Sequence, residues 1–309
     1  MKYGRIIWPS SPYAEVRASV LQAEECGFDS VHVPDHLMGF DHERMEPYLE
    51  AVTLLSAIAA ETRRVKVGHV VLANSFRNPA LVAKVISSLD NISNGRALLW
   101  IGAGWDEQEY KAYGYPFPSA KEAVDQLEES LTIFKKLFTE EVTNFDGRFW
   151  KLRNCRNFPK PIQKPWPQIV VGGSKDRLAT VACREADGMN FPWPGLDELE
   201  ERTRFIASKL RKYNRDPERF EISTLSLITL VNDEDELNEV VRQRIEWAKQ
   251  ENEALSREQV LSNSFTGYVE DVKAKIEHVE DLGVRKMVLD IHGSPSVKDP
   301  VKLFHDRIM

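Results

Sequence analysis

Asn94-Gly95-Arg96-Ala97-Leu98-Leu99-Trp100-Ile101-Gly102-Ala103-Gly104-Trp105-Asp106-Glu107-Gln108-Glu109-Tyr110 runs from a turn signal through an apolar core into a polar cluster. Asn-Gly breaks the preceding element and launches five apolar residues. The run ends in Gly-Ala-Gly, and small residues at a strand end let a flat ligand approach the backbone. An aromatic and a group of acids and amides follow. In α/β enzymes, polar residues just past a buried strand's C-terminal end carry the chemistry. This segment therefore predicts both a parallel, fully buried sheet and a ligand above it.

The same rhythm extends in both directions. On the N-terminal side, residues 5–8 read as a strand and 13–26 as a helix closed by Gly27. Residues 28–34 form a second strand, 48–60 a second helix and 65–72 a third strand. Pro79 opens a third helix at a position that suits proline. The strand at 97–101 is the fourth, and 120–138 the next helix. Asp146-Gly147, set between Val142–Phe145 and Arg148–Leu152, signals a hairpin. It lies in an insertion or flap over residues 139–167. Alternation resumes with a strand at 168–171, a helix at 176–185, a short strand near 188–190 and a helix at 196–213. A strand at 220–231, helices at 233–250 and 269–282, and a last strand at 286–291 complete it. The expected fold class is α/β, a (β/α)8 TIM barrel with insertions, among them a hairpin-containing flap before the fifth barrel strand. The expectation is one domain over 1–309. A doubly wound sheet would want G-x-G-x-x-G after the first strand, and Trp8-Pro9-Ser10-Ser11-Pro12 does not supply it.

Composition narrows the function classes. A net charge of -7 over 309 residues carries no nucleic-acid footprint. Three scattered cysteines, Cys26, Cys155 and Cys183, suit neither a disulfide framework nor a zinc knuckle. No apolar stretch reaches the roughly 20 residues of a membrane span. These features predict a cytoplasmic protein with a small-molecule substrate and neither nucleic-acid nor membrane partners.

The strand ends hold Trp8, Pro34-Asp35-His36, Val70-Val71 through Arg77, Gly102-Ala103-Gly104-Trp105, Gly172-Gly173-Ser174, Asn190, and Asp290 with His292. This set is rich in aromatics and small residues and suits a planar aromatic ligand better than a metal-activated water. Gly172-Gly173-Ser174-Lys175-Asp176 admits two readings, an anion seat at a helix N-terminus with Lys175 and Arg177 beside it, or an ordinary strand-to-helix turn. His32 and His36 stand four residues apart, roughly 13 Å on a strand, too far to share one ion, so no metal is expected. His32 reads as a core or pore-lining histidine. Asp35-His36 pairs a carboxylate with an imidazole at a strand end, and can set a proton donor or simply be a satisfied loop histidine. Trp8, Phe40, Phe76, Trp105 and Trp193 offer an apolar mouth or ordinary packing. Residues 140–164 carry six Lys/Arg against three acids, a net +3 that either meets an anionic ligand tail or solvates a flap.

Several pieces together resemble the luciferase-like monooxygenase superfamily, and within it the F420-dependent oxidoreductases. They are Cys26-Gly27-Phe28-Asp29-Ser30-Val31 through Pro34-Asp35-His36, Thr62 to Gly68, Phe76-Arg77-Asn78-Pro79-Ala80, and Ser93-Asn94-Gly95-Arg96 to Trp105. Tyr113-Gly114-Tyr115-Pro116-Phe117, Lys164-Pro165 to Gly173, and Ala186-Asp187-Gly188 complete the set, in order over most of residues 1–190. The resemblance implies a TIM barrel with a cofactor in its C-terminal mouth, commonly a homodimer. It implies a non-proline cis peptide at Val70-Val71 that backs an isoalloxazine-type ring. It places Asp35 and His36 at the ring edge, Gly102, Ala103, Gly104 and Trp105 beside the cofactor, and Gly172, Gly173 and Ser174 at its phosphate. The sugar-phosphate dehydrogenase branch puts a catalytic Glu directly after Gly-x-Gly. Trp105 stands there in this chain, so that substrate is not implied, and Glu107 or Glu109 is left as a substitute acid.

The reading that follows is a hydride-transferring oxidoreductase. The cofactor F420 exchanges hydride with a small organic substrate, and His36, Asp35 and Glu107 are the catalytic candidates. The alternative is an FMN-dependent luciferase-like monooxygenase using reduced flavin and oxygen. The 49–60 helix is a candidate apolar contact for a homodimer.

Overall fold

The computed structural model describes residues 1–10, 12–39, 47–250 and 254–309. In chain order, β1 (Lys2–Ile6) and α1 (Tyr13–Glu25) lead to β2 (Ser30–Val33) and α2 (Ala51–Glu61). Next come β3 (Lys66–His69), β4 (Leu72–Ala73), α3 (Pro79–Ile92), β5 (Leu99–Gly102), α4 (Glu107–Ala112) and α5 (Ala120–Thr139). The hairpin β6 (Thr143–Asp146) and β7 (Lys151–Cys155) is followed by β8 (Ile169–Gly172), α6 (Asp176–Glu185), β9 (Gly188–Pro192) and α7 (Leu196–Lys212). The chain ends with β10 (Glu221–Leu230), α8 (Glu234–Gln250), α9 (Arg257–Asn263), β11 (Phe265–Gly267), α10 (Val269–Asp281), β12 (Lys286–Gly293) and α11 (Pro300–Arg307).

The main sheet runs β3-β2-β1-β12-β10-β9-β8-β5-β4, and its pairings are parallel. A bridge between Val67 and Ala97 closes its two ends into a barrel. With β3 and β4 counted as one broken stave, the barrel has the eight staves of the expected (β/α)8 fold. β2, β5 and β8 are buried along their whole length, as parallel strands sandwiched between helices and a filled barrel must be. The outer core lies between strands and helices. Inside, Ile6, Val70, Leu98, Trp100, Val170, Leu225 and Val288 pack into a plug. Beneath it Lys286, 1 % exposed, pairs with Asp29 at 2.8 Å and sits over the Trp100 ring. His32 is fully buried: its ring nitrogens lie 2.9 Å from Ser30 Oγ and 3.2 Å from the His69 carbonyl. Burial holds its pKa well below the ordinary range, so it is a neutral core histidine. Among the described residues, no helix is long and apolar enough to cross a membrane.

Three expectations need correction. The third strand is not continuous over 65–72. It breaks at Val70-Val71, a cis peptide bond, and the chain changes partner there: β3 pairs with β2, β4 with β5. The hairpin turn is wider than two residues, because Asp146 pairs with Lys151 and residues 147–150 form the loop. The cause is Glu129 of α5, whose carboxylate accepts the N–H groups of Arg148, Phe149 and Trp150. Finally, α2 spends its apolar residues Leu54, Leu55 and Ile58 inside the core. That leaves it no large apolar face for a dimer contact. α4, α9, β11 and α11 add to the expected elements.

Candidate active site in the barrel mouth

A cavity of about 540 Å3 opens at the C-terminal ends of the strands. Its floor is the interior plug, through Ile6, Val70 and Leu225. Its walls are Trp8, Phe76, Trp105, Tyr110, Trp193 and Trp247. Asp35, His36, Val70, Val71, Gly102, Ala103, Gly104, Trp105 and Gly172 all line it, so the structure gathers most of the residues singled out from sequence. Trp8, Phe76, Trp105 and Trp193 of the aromatic set are there too. Phe40 lies outside the described residues. Trp247 was not anticipated, since it sits on a helix dominated by charge.

The glycines admit protein as well as leaving room for a ligand. A Cβ on Gly102 would stand 2.7 Å from Val71 Cγ2, and one on Gly172 2.5 Å from Val71 Cγ1. Val71 thus wedges between two staves that only glycine leaves open. Gly104 has φ +89°, and a Cβ there would strike the Tyr110 hydroxyl at 2.1 Å. Tyr110 is buried against Phe76 and Phe117, and burial pushes its hydroxyl up to about 12.

Two buried carboxylates frame the polar end. Asp35 accepts from Arg77 Nη1 at 2.6 Å and Nη2 at 2.9 Å, and from the Ala73 N–H at 2.8 Å. Arg77 also reaches Glu50 at 2.8 Å, and its pKa is raised by both acids despite its burial. Asp35 therefore ties β2's end to the segment after Val71. Glu109 is 1 % exposed and works as a hub. Its Oε1 accepts the N–H groups of Leu37 and, at 2.9 Å, of Met38, and its Oε2 lies 3.2 Å from His36 Nδ1. A carboxylate only accepts, so Nδ1 is the donor of this bond. The His36 ring meets Trp105 edge-on at 5.6 Å between centroids. His36, Asp106 and Glu109 bring ligand atoms within 4.8 Å of one another. Glu109, however, is committed to backbone N–H groups and Asp106 caps α4 through the Glu109 N–H.

Other sequence candidates fall outside. Glu107, named as catalytic, is exposed on the far side of α4 and pairs with Lys111 at 2.9 Å. Glu109 stands where Glu107 was expected. Gly173 and Ser174 do not line the cavity, and the Gly173 N–H is taken by the Asn190 carbonyl at 3.0 Å. They still lead into α6, whose N-terminus has no side-chain cap. Arg177 turns away to the Lys121 carbonyl and Asp125 of α5. The basic flap closes on acids of its own and of α5: Lys151 and Arg153 on Asp146 at 3.4 and 3.0 Å, Arg148 on Glu122 at 3.4 Å. None of its residues lines the cavity.

Fold and cavity together define a (β/α)8 barrel with an aromatic-walled site at the strand C-termini. The chain belongs to the luciferase-like monooxygenase family, whose model matches residues 4–306. Over 170 residues it is 35 % identical to an F420-dependent glucose-6-phosphate dehydrogenase of Amycolatopsis mediterranei (strain U-32), covering 54 % of this chain and 50 % of that one. It is 32 % identical over 138 residues to an FMNH(2)-dependent dimethylsulfone monooxygenase of Pseudomonas putida, covering 45 % and 38 %. The chain thus spans about half the length of the curated relatives it matches, or less. Among solved structures, an F420-dependent secondary alcohol dehydrogenase superposes with a TM-score of 0.85 at 20 % identity, over 99 % of this chain and 98 % of that one. The coenzyme F420-dependent tetrahydromethanopterin reductase from Methanopyrus kandleri gives 0.80 at 19 %, with the same coverage. At these identities the likeness establishes the barrel.

Proposed function

We propose that this protein is an oxidoreductase that exchanges a hydride between F420 and a small organic substrate. The observation that carries the reading is His36, held by buried Glu109 in the wall of an aromatic-lined cavity. The F420-dependent relatives at about a third identity support the choice of cofactor.

The residues present fit a tricyclic ring with a phosphate tail. The cavity volume is in the range of small-molecule sites. Val70 and Val71 form one face of it, and Gly102, Ala103 and Gly104 pass along its edge. The uncapped N-terminus of α6, reached through Gly172-Gly173-Ser174, is suited to an anion. Bound there, the deazaflavin supplies a two-electron hydride acceptor or donor. His36 handles the accompanying proton: with Nδ1–H committed to Glu109, Nε2 takes a proton from the substrate or returns one. Asp35 acts by position, anchored to Arg77. The aromatic walls offer an apolar surface on which a substrate can lie against the ring. Trp105 in place of a Glu after Gly-x-Gly argues against glucose 6-phosphate as substrate. A cytoplasmic homodimer fits the exposed stripe of α3, where Leu81 and Ile92 are 54 % and 52 % exposed beside Phe158 at 54 %.

Titration of the purified protein with F420 and with FMN, followed by absorbance and fluorescence, tests the reading. Saturable F420 binding is expected, and His36→Ala should cut turnover far more than F420 affinity. The monooxygenase relative makes FMN the second reading. Tight FMN binding with no F420 binding would transfer the assignment to it.

A further inference from the structure

Arg244 is a partly buried charge without a counter-charge. Its guanidinium donates to Thr229 Oγ1 at 3.2 Å, and no carboxylate pairs with it among the described residues. Burial alone moves its pKa, downward. A guanidinium has five N–H donors, and desolvating them unmatched is unfavourable. The other basic residues nearby are spoken for. Lys275 of α10 donates to the carbonyls of Leu261, Ser264 and Thr266. His292, opposite Thr229 on β12, pairs with Asp290 at 3.0 Å, and Asp290 also accepts Trp8 Nε1–H at 3.1 Å. Asp290 is thus shared between Trp8 and His292.

Position links Arg244 to the cavity. Trp247 is three residues further along α8, on the same face, and lines the cavity. Thr229 is four residues beyond cavity-lining Leu225 on the same face of β10, roughly 13 Å higher along the strand. Arg244 is not itself among the lining residues; these offsets put it beyond the floor, one helical turn from Trp247. Two of the cavity's indoles are also widely exposed. Trp247 is 63 % exposed and Trp193 47 % exposed. Trp193 also has φ +48°, a conformation bulky residues rarely adopt, with its N–H held by the Leu225 carbonyl at 2.8 Å. Half-exposed indoles lining a cavity offer stacking surface for a ring, and a guanidinium on the same face of α8 as Trp247 offers a charge for its anionic substituent.

We propose that Arg244 anchors the anionic group of an aromatic substrate whose ring rests on Trp193 and Trp247. This rests on the reading of the deeper cavity as the F420 site, leaving the rim to the substrate. Calorimetric titration with naphthalene-2-carboxylate and with 2-naphthalenemethanol, with and without F420, tests it. The wild type should bind the carboxylate at least about tenfold more tightly than the alcohol, as one charge-assisted hydrogen bond implies. Arg244→Gln should remove that preference and leave the alcohol's affinity in place; Arg244→Lys should retain part of it, which separates lost charge from a lost fold. Trp247→Ala should weaken both probes alike. Equal affinities in the wild type, no binding of either probe, or an unchanged preference in R244Q overturns the proposal. So does R244Q weakening F420 while sparing the carboxylate, which would give Arg244 to the cofactor's acidic tail. Loss of F420 binding with the carboxylate preference intact would sink the cofactor reading alone.

Discussion

Replacing Glu109 by Gln changes one atom and should reverse the His36 ring. The backbone N–H groups of Leu37 and Met38 both point at Oε1. They require an oxygen there, so the new amide must place its NH2 at the other position, facing His36 Nδ1. An NH2 group donates, so Nδ1 must now accept and the ring proton moves to Nε2. The atom that handles the substrate proton is then blocked. General acid–base contributions of about 10²–10⁴-fold set the expected loss in turnover. The stability cost is smaller. The hub keeps its hydrogen bonds but loses the charge on each, about 1 kcal/mol per bond. Over the Leu37, Met38 and His36 contacts this is about 3 kcal/mol, or about 5 °C in Tm for a chain of this length. The nitrogen-15 spectrum of the ring reports the tautomer without any substrate, and thermal unfolding reports the stability. If Nδ1 stays protonated in E109Q, or turnover is unchanged while the tautomer flips, the assignment of the proton to His36 Nε2 is wrong.

Arg77→Met leaves the buried Asp35 carboxylate unpaired and should destabilise by about 3–5 kcal/mol in chemical denaturation. A loss under 1 kcal/mol would mean that the Asp35 network is not structural. His69 is buried, and burial lowers its pKa to about 4. Between the unfolded value near 6.5 and about 4 the unfolded chain binds the extra proton, so stability is full above that window and falls with decreasing pH, by about 1.4 kcal/mol per unit. His32 adds in the same sense. His69→Gln should flatten that slope in urea titrations from pH 7 to 4, and an unchanged slope would show that His69 takes no part. Gly104→Ala, with φ +89° and the Tyr110 hydroxyl in the way, should cost more than about 1 kcal/mol and weaken F420 binding; a neutral change would mean that the loop yields.

Much of the barrel was legible because strands such as Leu99–Gly102 and Ile169–Gly172 are continuous apolar runs that end in glycine. Asn78 and Pro79 mark the start of α3 within a residue, and Asp176 opens α6 where expected. What escaped was set by tertiary contact. Nothing within 142–152 announces that Glu129, on another element, widens the hairpin turn. The break between β3 and β4 came only through family resemblance, since residues 65–72 read as one strand by pattern. The flap's charge excess was real, but formal charge does not say which acids face it, and Asp146 and Glu122 do.

The exchange of Glu107 for Glu109 shows where reading a site from sequence stops. Both carboxylates follow the same glycines, two residues apart, and in an extended chain they would share a face. Asp106 instead caps a helix of six residues, too short to show a 3.6-residue period. In that helix two residues turn the chain by about 200°. Glu107 is thereby sent to solvent and Lys111, and Glu109 to His36. One capping bond from the Glu109 N–H to Asp106 thus selects which acid reaches the cavity. The chemistry was present in the sequence, but its direction depended on a local turn that only the folded chain defines.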